Sequence, residues 1–264
     1  MKTAIHYIDT HCHLQAEVFS QTLPGILADT QNAGIHCICN ATEPSNWQRV
    51  LQIAREYRYV SAALGIHPWY IPESFEKSIA SLYDYRNVLC AIGEAGLDSK
   101  YGGVPIKIQM QCFRLQLAAA REMGVPVIVH CIAAFDELTR ILKETKPGVP
   151  IIIHAYNGSW QQAKSLAAFG CYFSIGGTAT YRFSRKRAAM LEYIFAHGLM
   201  LLETDSPDIP PSQAPEGPNV PVNIIHVARS VAAYLGTSPE DAGKKAADLA
   251  RKLFSLDTMA APDV

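Results

Sequence analysis

The feature that most constrains this chain is an alternation. Short β-branched or apolar runs at 5–10, 36–41, 60–65, 88–93, 125–130, 151–154, 171–175 and 199–203 are separated by stretches with helical spacing, clearest at 47–57, 107–124, 135–145, 161–170 and 187–198. Near-continuous apolar strands interleaved with amphipathic helices specify parallel strands joined by helical crossovers, since such a sheet is covered on both faces. Eight units in 264 residues leave about 33 apiece, enough for a strand, a helix and two loops. The expected fold is α/β, a closed (β/α)8 TIM barrel forming one domain over 1–264. An open doubly wound sheet is the alternative. Against it, the first strand–helix turn reads Asp9-Thr10-His11-Cys12-His13 and carries no GxGxxG. Gly34, Gly124, Gly170 and Gly198 sit where helices should end. A Pro-rich irregular piece at 207–221 follows the last strand, and helices at 222–235 and 239–254 close the chain.

Composition narrows the class of partner. The chain is 49% hydrophobic and 18% charged, a folded composition. Its 23 Lys+Arg against 24 Asp+Glu give a net charge of -1, so no global positive field gathers nucleic acid or anionic lipid. A nucleic-acid role must come from a local site. The seven cysteines are odd in number and lie mostly in apolar runs, which reads as reduced, packed thiols in a cytoplasmic protein. Residues 1–9 lack the apolar run of a signal peptide, and no stretch reaches the ~18 apolar residues of a membrane span.

In a barrel of this kind the C-terminal strand ends face one site. Strand 1 ends in His11-Cys12-His13, strand 3 in Gly65-Ile66-His67-Pro68 and strand 4 in Gly93-Glu94-Ala95-Gly96-Leu97-Asp98. Strand 5 ends in His130-Cys131, strand 6 in His154 and strand 8 in Glu203-Thr204-Asp205-Ser206-Pro207. His11 and His13 are two apart, so in an extended segment both point one way and Cys12 the other. His130 and His154 arrive from neighbouring strands, and Glu94 and Asp205 add anionic oxygen. Any one of these has a structural reading: a hydrogen-bonded histidine, or an acid capping a helix. Their coincidence at one end of several strands does not. Four histidines and two carboxylates exceed the needs of one tetrahedral ion and suit two divalent ions sharing a carboxylate, a pair ~3.5–4 Å apart. Imidazole-rich donors favour Zn, Mn, Fe or Ni, while Mg can serve in excess. Cys12 and Cys131 read as packed thiols, and His6, His36, His197 and His226 as structural.

Those blocks, in that order, resemble the TatD family of metal-dependent hydrolases, within the amidohydrolase-like barrels. The resemblance runs from Ile8 to about Phe254. It implies a (β/α)8 barrel with a divalent-metal site and phosphodiester hydrolysis, often of DNA ends by an exonuclease-type deoxyribonuclease. By position it implies that His11, His13, Glu94 and Asp205 hold one ion and Glu94, His130 and His154 the other, with Glu94 as bridge. His67 then lies near the site as a substrate or outer contact. Asp205, a ligand with a free oxygen, would take a proton from the attacking water and return it to the leaving oxygen.

The chain departs from the family pattern in three places. After the strand 5 histidine, relatives often carry a basic and then an acidic residue; here Cys131-Ile132-Ala133-Ala134 follows, and Ile132 cannot hold a phosphate. Tyr156-Asn157-Gly158-Ser159 stands where Phe and a small polar residue are common, and Leu249 where Asn is common. A compensating feature is the run Tyr181-Arg182-Phe183-Ser184-Arg185-Lys186-Arg187, in which Arg182 and Arg185 could contact phosphate beside aromatics that stack on bases. A solvated helix start is the plain alternative. Two other functions compete: a related barrel cleaving an amide or ester of a small molecule, and a catalytically silent metal-binding barrel. The first typically carries a bridging lysine after strand 4, where this chain has Glu94.

Overall fold

A computed structural model describes residues 6–256. Eight strands form one sheet in chain order: β1 (Tyr7–Cys12), β2 (Ile35–Asn40), β3 (Val60–Leu64), β4 (Leu89–Asp98), β5 (Val127–Ile132), β6 (Ile151–Ile153), β7 (Cys171–Ile175) and β8 (Met200–Leu202). Every neighbouring pair is parallel. The two ends of the sheet meet through hydrogen bonds from the Asp205 N–H to the His11 carbonyl (2.9 Å) and from the His13 N–H to the Ser206 carbonyl (2.7 Å). This is the (β/α)8 barrel rather than the open sheet. Residue 5 of the first expected strand and the ends of the expected 1–264 domain lie outside the described residues.

The crossovers carry α1 (Leu23–Asn32), α2 (Trp47–Glu56), α3 (Phe75–Ser81), α4 (Ile106–Met123), α5 (Phe135–Thr145), α6 (Trp160–Ala167) and α7 (Arg185–Ala196), followed by α8 (Ile224–Leu235) and α9 (Pro239–Leu253). Ser159, Ser184 and Ser238 start α6, α7 and α9, each side-chain oxygen accepting the backbone N–H of the helix's third residue. The four glycines expected after helices all adopt left-handed φ, between 65° and 80°. No helix among the described residues is long and apolar enough to cross a membrane.

The core closes one end of the barrel. Ile8, Ile38, Ala63, Ala91, Ile128, Ile152 and Leu201 form an apolar cluster with Ala247, Ala250 and Leu253 of α9 and the adjoining Phe254. Helix α9 packs on β1 and β8. A larger cluster joins the other faces of the strands to the surrounding helices. Most buried polar strand residues collect at the opposite, C-terminal end, the hydrogen-bonded His36–Ser61 pair being an exception.

Strand β4 runs to Asp98, five residues beyond the end expected at Gly93. The glycines there do not break the strand. A Cβ on Gly96 would lie 2.0 Å from the His130 carbonyl oxygen, so the glycine allows β4 and β5 to pair closely alongside the site. Glu94 and Asp98 therefore stand within a strand, not on the loop after it.

Candidate metal centre

Two residues tie the ends of β1 and β8 together. The buried Asp9 carboxylate accepts from the Thr204 N–H (2.9 Å), the Thr204 hydroxyl (2.5 Å) and the His11 N–H (3.3 Å). Burial, only partly offset by these bonds, pushes Asp9 up to about 8. Just beyond β8, Asp205 takes a left-handed φ of 59°, a conformation that Asp tolerates better than most residues. Ala133 and Ala155, after β5 and β6, are left-handed too. The chain thus turns sharply where it leaves three of the strands around the site.

Glu94 is at the centre. Its Oε2 lies 3.4 Å from His11 Nε2 and 3.6 Å from His13 Nε2. Asp205 Oδ1 lies 3.5 and 3.6 Å from the same two nitrogens, which are 3.1 Å apart. Four ligands about 2.1 Å from a tetrahedral ion stand about 3.4 Å from one another. The spacing of these donors is that of a coordination shell.

The other oxygen, Oε1, faces a second group. It lies 2.9 Å from His154 Nε2, 3.1 Å from His130 Nδ1 and 3.4 Å from His67 Nε2, and the first two nitrogens are 3.2 Å apart. One carboxylate thus serves two adjoining donor sets.

Outer partners fix which ring nitrogens are free. His13 Nδ1 donates to the Asn40 carbonyl (2.8 Å), leaving Nε2 with its lone pair toward the cluster. His130 Nε2 donates to Asp98 Oδ2 (3.2 Å), leaving Nδ1 toward Glu94. His67 is the reverse case: its Nδ1 accepts from the Trp69 N–H (3.1 Å), so its Nε2 carries the proton facing Glu94. His154 has the buried Glu203 carboxylate behind it, 3.8 Å from Nδ1, and Glu203 Oε1 also accepts from the Ala155 N–H (2.6 Å).

Lone pairs and carboxylate oxygens converging on the same points require positive charge between them. Protons on the histidines answer part of the same need. Burial raises the cost of ionising Glu94, yet the charges of His67, His154 and His11 hold it well below the usual carboxylate range. Burial favours neutral His13, but contact with Asp205 and the charge of Glu94 outweigh it and push His13 up to about 9. His154 is raised by Glu94 and Glu203 against the same burial cost, and Asp205 is lowered, chiefly by His13 against its own burial. His11 is lowered by burial and then by the charge of His154, on which it stacks at 4.1 Å. Its Nδ1 is buried without a hydrogen-bond partner. The residues fit divalent cations.

The sequence profile of the family described as TatD related DNase matches residues 8–255. The chain belongs to this family. The metal-dependent hydrolase YjjV of Escherichia coli K12 is 33% identical over 84% of this chain and 87% of its own length. The crystal structure of that TatD homologue superposes with a TM-score of 0.88 at 29% identity, covering 97% of this chain and 99% of the other. A 3'-5' ssDNA/RNA exonuclease TatD of Erwinia amylovora is 28% identical over 94% of this chain and 99% of its own.

The structure brings His11, His13, His67, Glu94, His130, His154 and Asp205 into one cluster, of which all but the fully buried His11 line a cavity of about 740 Å³. Arg182 and Arg185 are elsewhere. They are exposed on the loop after β7 and at the start of α7, and neither lines the cavity. Phe183 of that run stacks on Tyr234 at 5.2 Å, and the Tyr181 hydroxyl donates to the Pro210 carbonyl. Sequence reasoning assigned no role to Asp98, Glu203, Asp9 or Trp69. A signal existed for the acids: Asp9, Glu203 and Asp98 lie an even number of residues from His11, Asp205 and Glu94, the spacing that puts extended residues on one face.

Proposed function

We propose that this chain is a hydrolase of phosphodiester bonds that works with two divalent ions and acts on nucleic-acid ends in the manner of an exonuclease. The observation that carries the reading is Glu94, whose two oxygens each face a separate set of histidines. His11, His13, Glu94 and Asp205 would hold one ion, and Glu94, His130 and His154 the other. Zn, Mn, Mg, Ni and Fe are the candidate metals. Bound there, they would supply positive charge against the phosphoryl oxygens and make water at the site more acidic.

The chain's own groups do the rest. Asp205 borders the cavity and is kept ionised, so it can take a proton from the attacking water and return it to the leaving oxygen. His67 also borders the cavity and offers its Nε2 proton to an oxygen of the substrate. Asp98 and the Asn40 carbonyl hold His130 and His13 in place from behind by hydrogen bonds, and the Glu203 carboxylate faces His154 Nδ1 at 3.8 Å. Membership of the TatD family and the exonuclease name of the Erwinia relative support this reading. The seven buried, free cysteines support a cytoplasmic setting.

The test is hydrolysis of an end-labelled oligonucleotide and of a simple phosphodiester, with and without chelator, then with each metal restored. Chelation should abolish turnover and one or more metals should restore it. Glu94→Ala or Asp205→Ala turning over near the parent rate at saturating metal would defeat the assignment.

A further inference from the structure

The cavity over the metal centre is built for something other than a run of phosphates. Among the described residues that line it none is Lys or Arg, while Glu17 and Asp208 add negative charge to its walls. The remaining wall is largely apolar, with Trp69, Tyr70, Ile132, Phe135, Tyr156 and Ile209. A second or third phosphate entering this space would find no counter-charge.

One wall residue is held as a platform. Trp69 is 39% exposed, yet its ring is fixed on two sides. The indole N–H donates to Asp98 Oδ2 (2.9 Å), and the ring stacks on Tyr101 with centroids 5.1 Å apart and planes at 25°. An exposed, rigid aromatic bordering a cavity offers a planar ligand a stacking surface at little cost in side-chain entropy. Its place relative to the reacting centre is also set. The Asp98 oxygen that holds the indole accepts from His130 Nε2 as well, and the Trp69 and His130 rings lie 5.9 Å apart. A ring resting on Trp69 therefore lies beside the second donor set.

We propose that Trp69 is the base-stacking subsite of this site, and that the substrate is bound as one nucleotide unit: a single planar base on Trp69, a single phosphodiester at the metal centre, and no neighbouring phosphate held within the cavity. This rests on the phosphodiester reading and narrows it. Recognition comes from the base and the reacting group, which explains how a cavity whose described lining holds no lysine or arginine can serve a nucleic-acid end. Ile132 then belongs to an apolar wall facing a nucleoside.

The experiment compares thymidylyl-thymidine with the same diester in which hydrogen replaces both bases. The enzymes are the metal-loaded parent, Trp69→Phe and Trp69→Leu. Both variants lose the indole N–H, so any effect through Asp98 and His130 is common to them, and only the leucine variant loses the ring. The parent and the phenylalanine variant should prefer the base-bearing diester. In the leucine variant that preference in kcat/KM should fall by roughly ten-fold or more, through KM. Calorimetric binding of thymidine monophosphate against deoxyribose 5-phosphate should show the same gap without turnover. Equal cleavage of both diesters by the parent, or an intact preference in the leucine variant, overturns the Trp69 subsite and leaves the phosphodiester reading standing. If neither diester is cleaved with any of the five metals while the end-labelled oligonucleotide is, the single-nucleotide subsite falls alone; if the oligonucleotide is not cleaved either, the phosphodiester reading falls with it.

Discussion

Asp98→Asn is the perturbation whose consequence follows most directly from the geometry. Asp98 Oδ1 accepts from the Lys100 and Tyr101 N–H groups (2.9 and 3.1 Å), and Oδ2 from Trp69 Nε1 and His130 Nε2 (2.9 and 3.2 Å). All four partners are donors, and the side chain is buried. Asparagine fills the same volume but has one acceptor oxygen, so either orientation turns an amide NH2 toward two donors. Leaving two donors unmatched costs about 1–3 kcal/mol each, and local relaxation reduces the net loss to about 2–4 kcal/mol. If the amide faces His130, the imidazole escapes the clash by moving its proton to Nδ1, which removes the lone pair aimed at the second donor set. Loss of such an outer partner typically costs 10–100-fold in metal affinity. Urea unfolding of chelated protein measures the first effect, and competition with a chromogenic chelator the second. A variant within about 0.5 kcal/mol of the parent and with unchanged metal affinity would refute the reasoning.

Glu94→Gln keeps the shape but removes the charge both donor sets share; metal content should fall for both ions and turnover by more than about 100-fold, read by elemental analysis and single-turnover kinetics. His36, buried against the Ser61 hydroxyl (2.9 Å), is depressed to about 4 by burial and then by the charge of Arg251. The unfolded chain binds this proton at a higher pH than the folded one. Stability is therefore full above about pH 6.5 and is lost as pH falls toward 4, by about 3 kcal/mol for this group. His36→Gln should flatten the acid side of a stability–pH curve, and an unchanged slope would contradict the assignment. Arg182→Ala with Arg185→Ala should weaken binding of long single strands and shallow its salt dependence, while leaving dinucleotide hydrolysis unaltered. No change with long strands would mean that the run only solvates the start of α7.

The barrel was legible because its strands are apolar on both faces and its helices are amphipathic, so the period of the pattern changes at each crossover. The 135–145 helix and the 171–175 strand emerge with the expected ends, since a helix lacking internal glycine or proline and a short apolar strand leave little choice. The end of β4 was not legible. Gly93 and Gly96 look like breakers in sequence, and only the approach of β5 shows why a strand needs Gly96 there. The cluster itself was visible because histidine and carboxylate at successive strand ends have few other uses. What holds the cluster was not. Asp98 is distinguished by four donors brought from three separate segments, and Trp69 by a stacking partner 32 residues away. The place of the arginines at 182 and 185 was not legible either. Their loop is on the correct face of the barrel, but chain position does not say whether a side chain reaches the cavity.

The central claim is that Glu94 joins two cation sites. Anomalous diffraction from a crystal of the protein loaded with manganese or zinc, collected at the metal edge, tests it most directly. The account predicts two peaks, one among His11, His13, Glu94 and Asp205 and one among Glu94, His130 and His154. A metal-loaded crystal with no peak at these residues, or with a single peak that Glu94 does not touch, would contradict it.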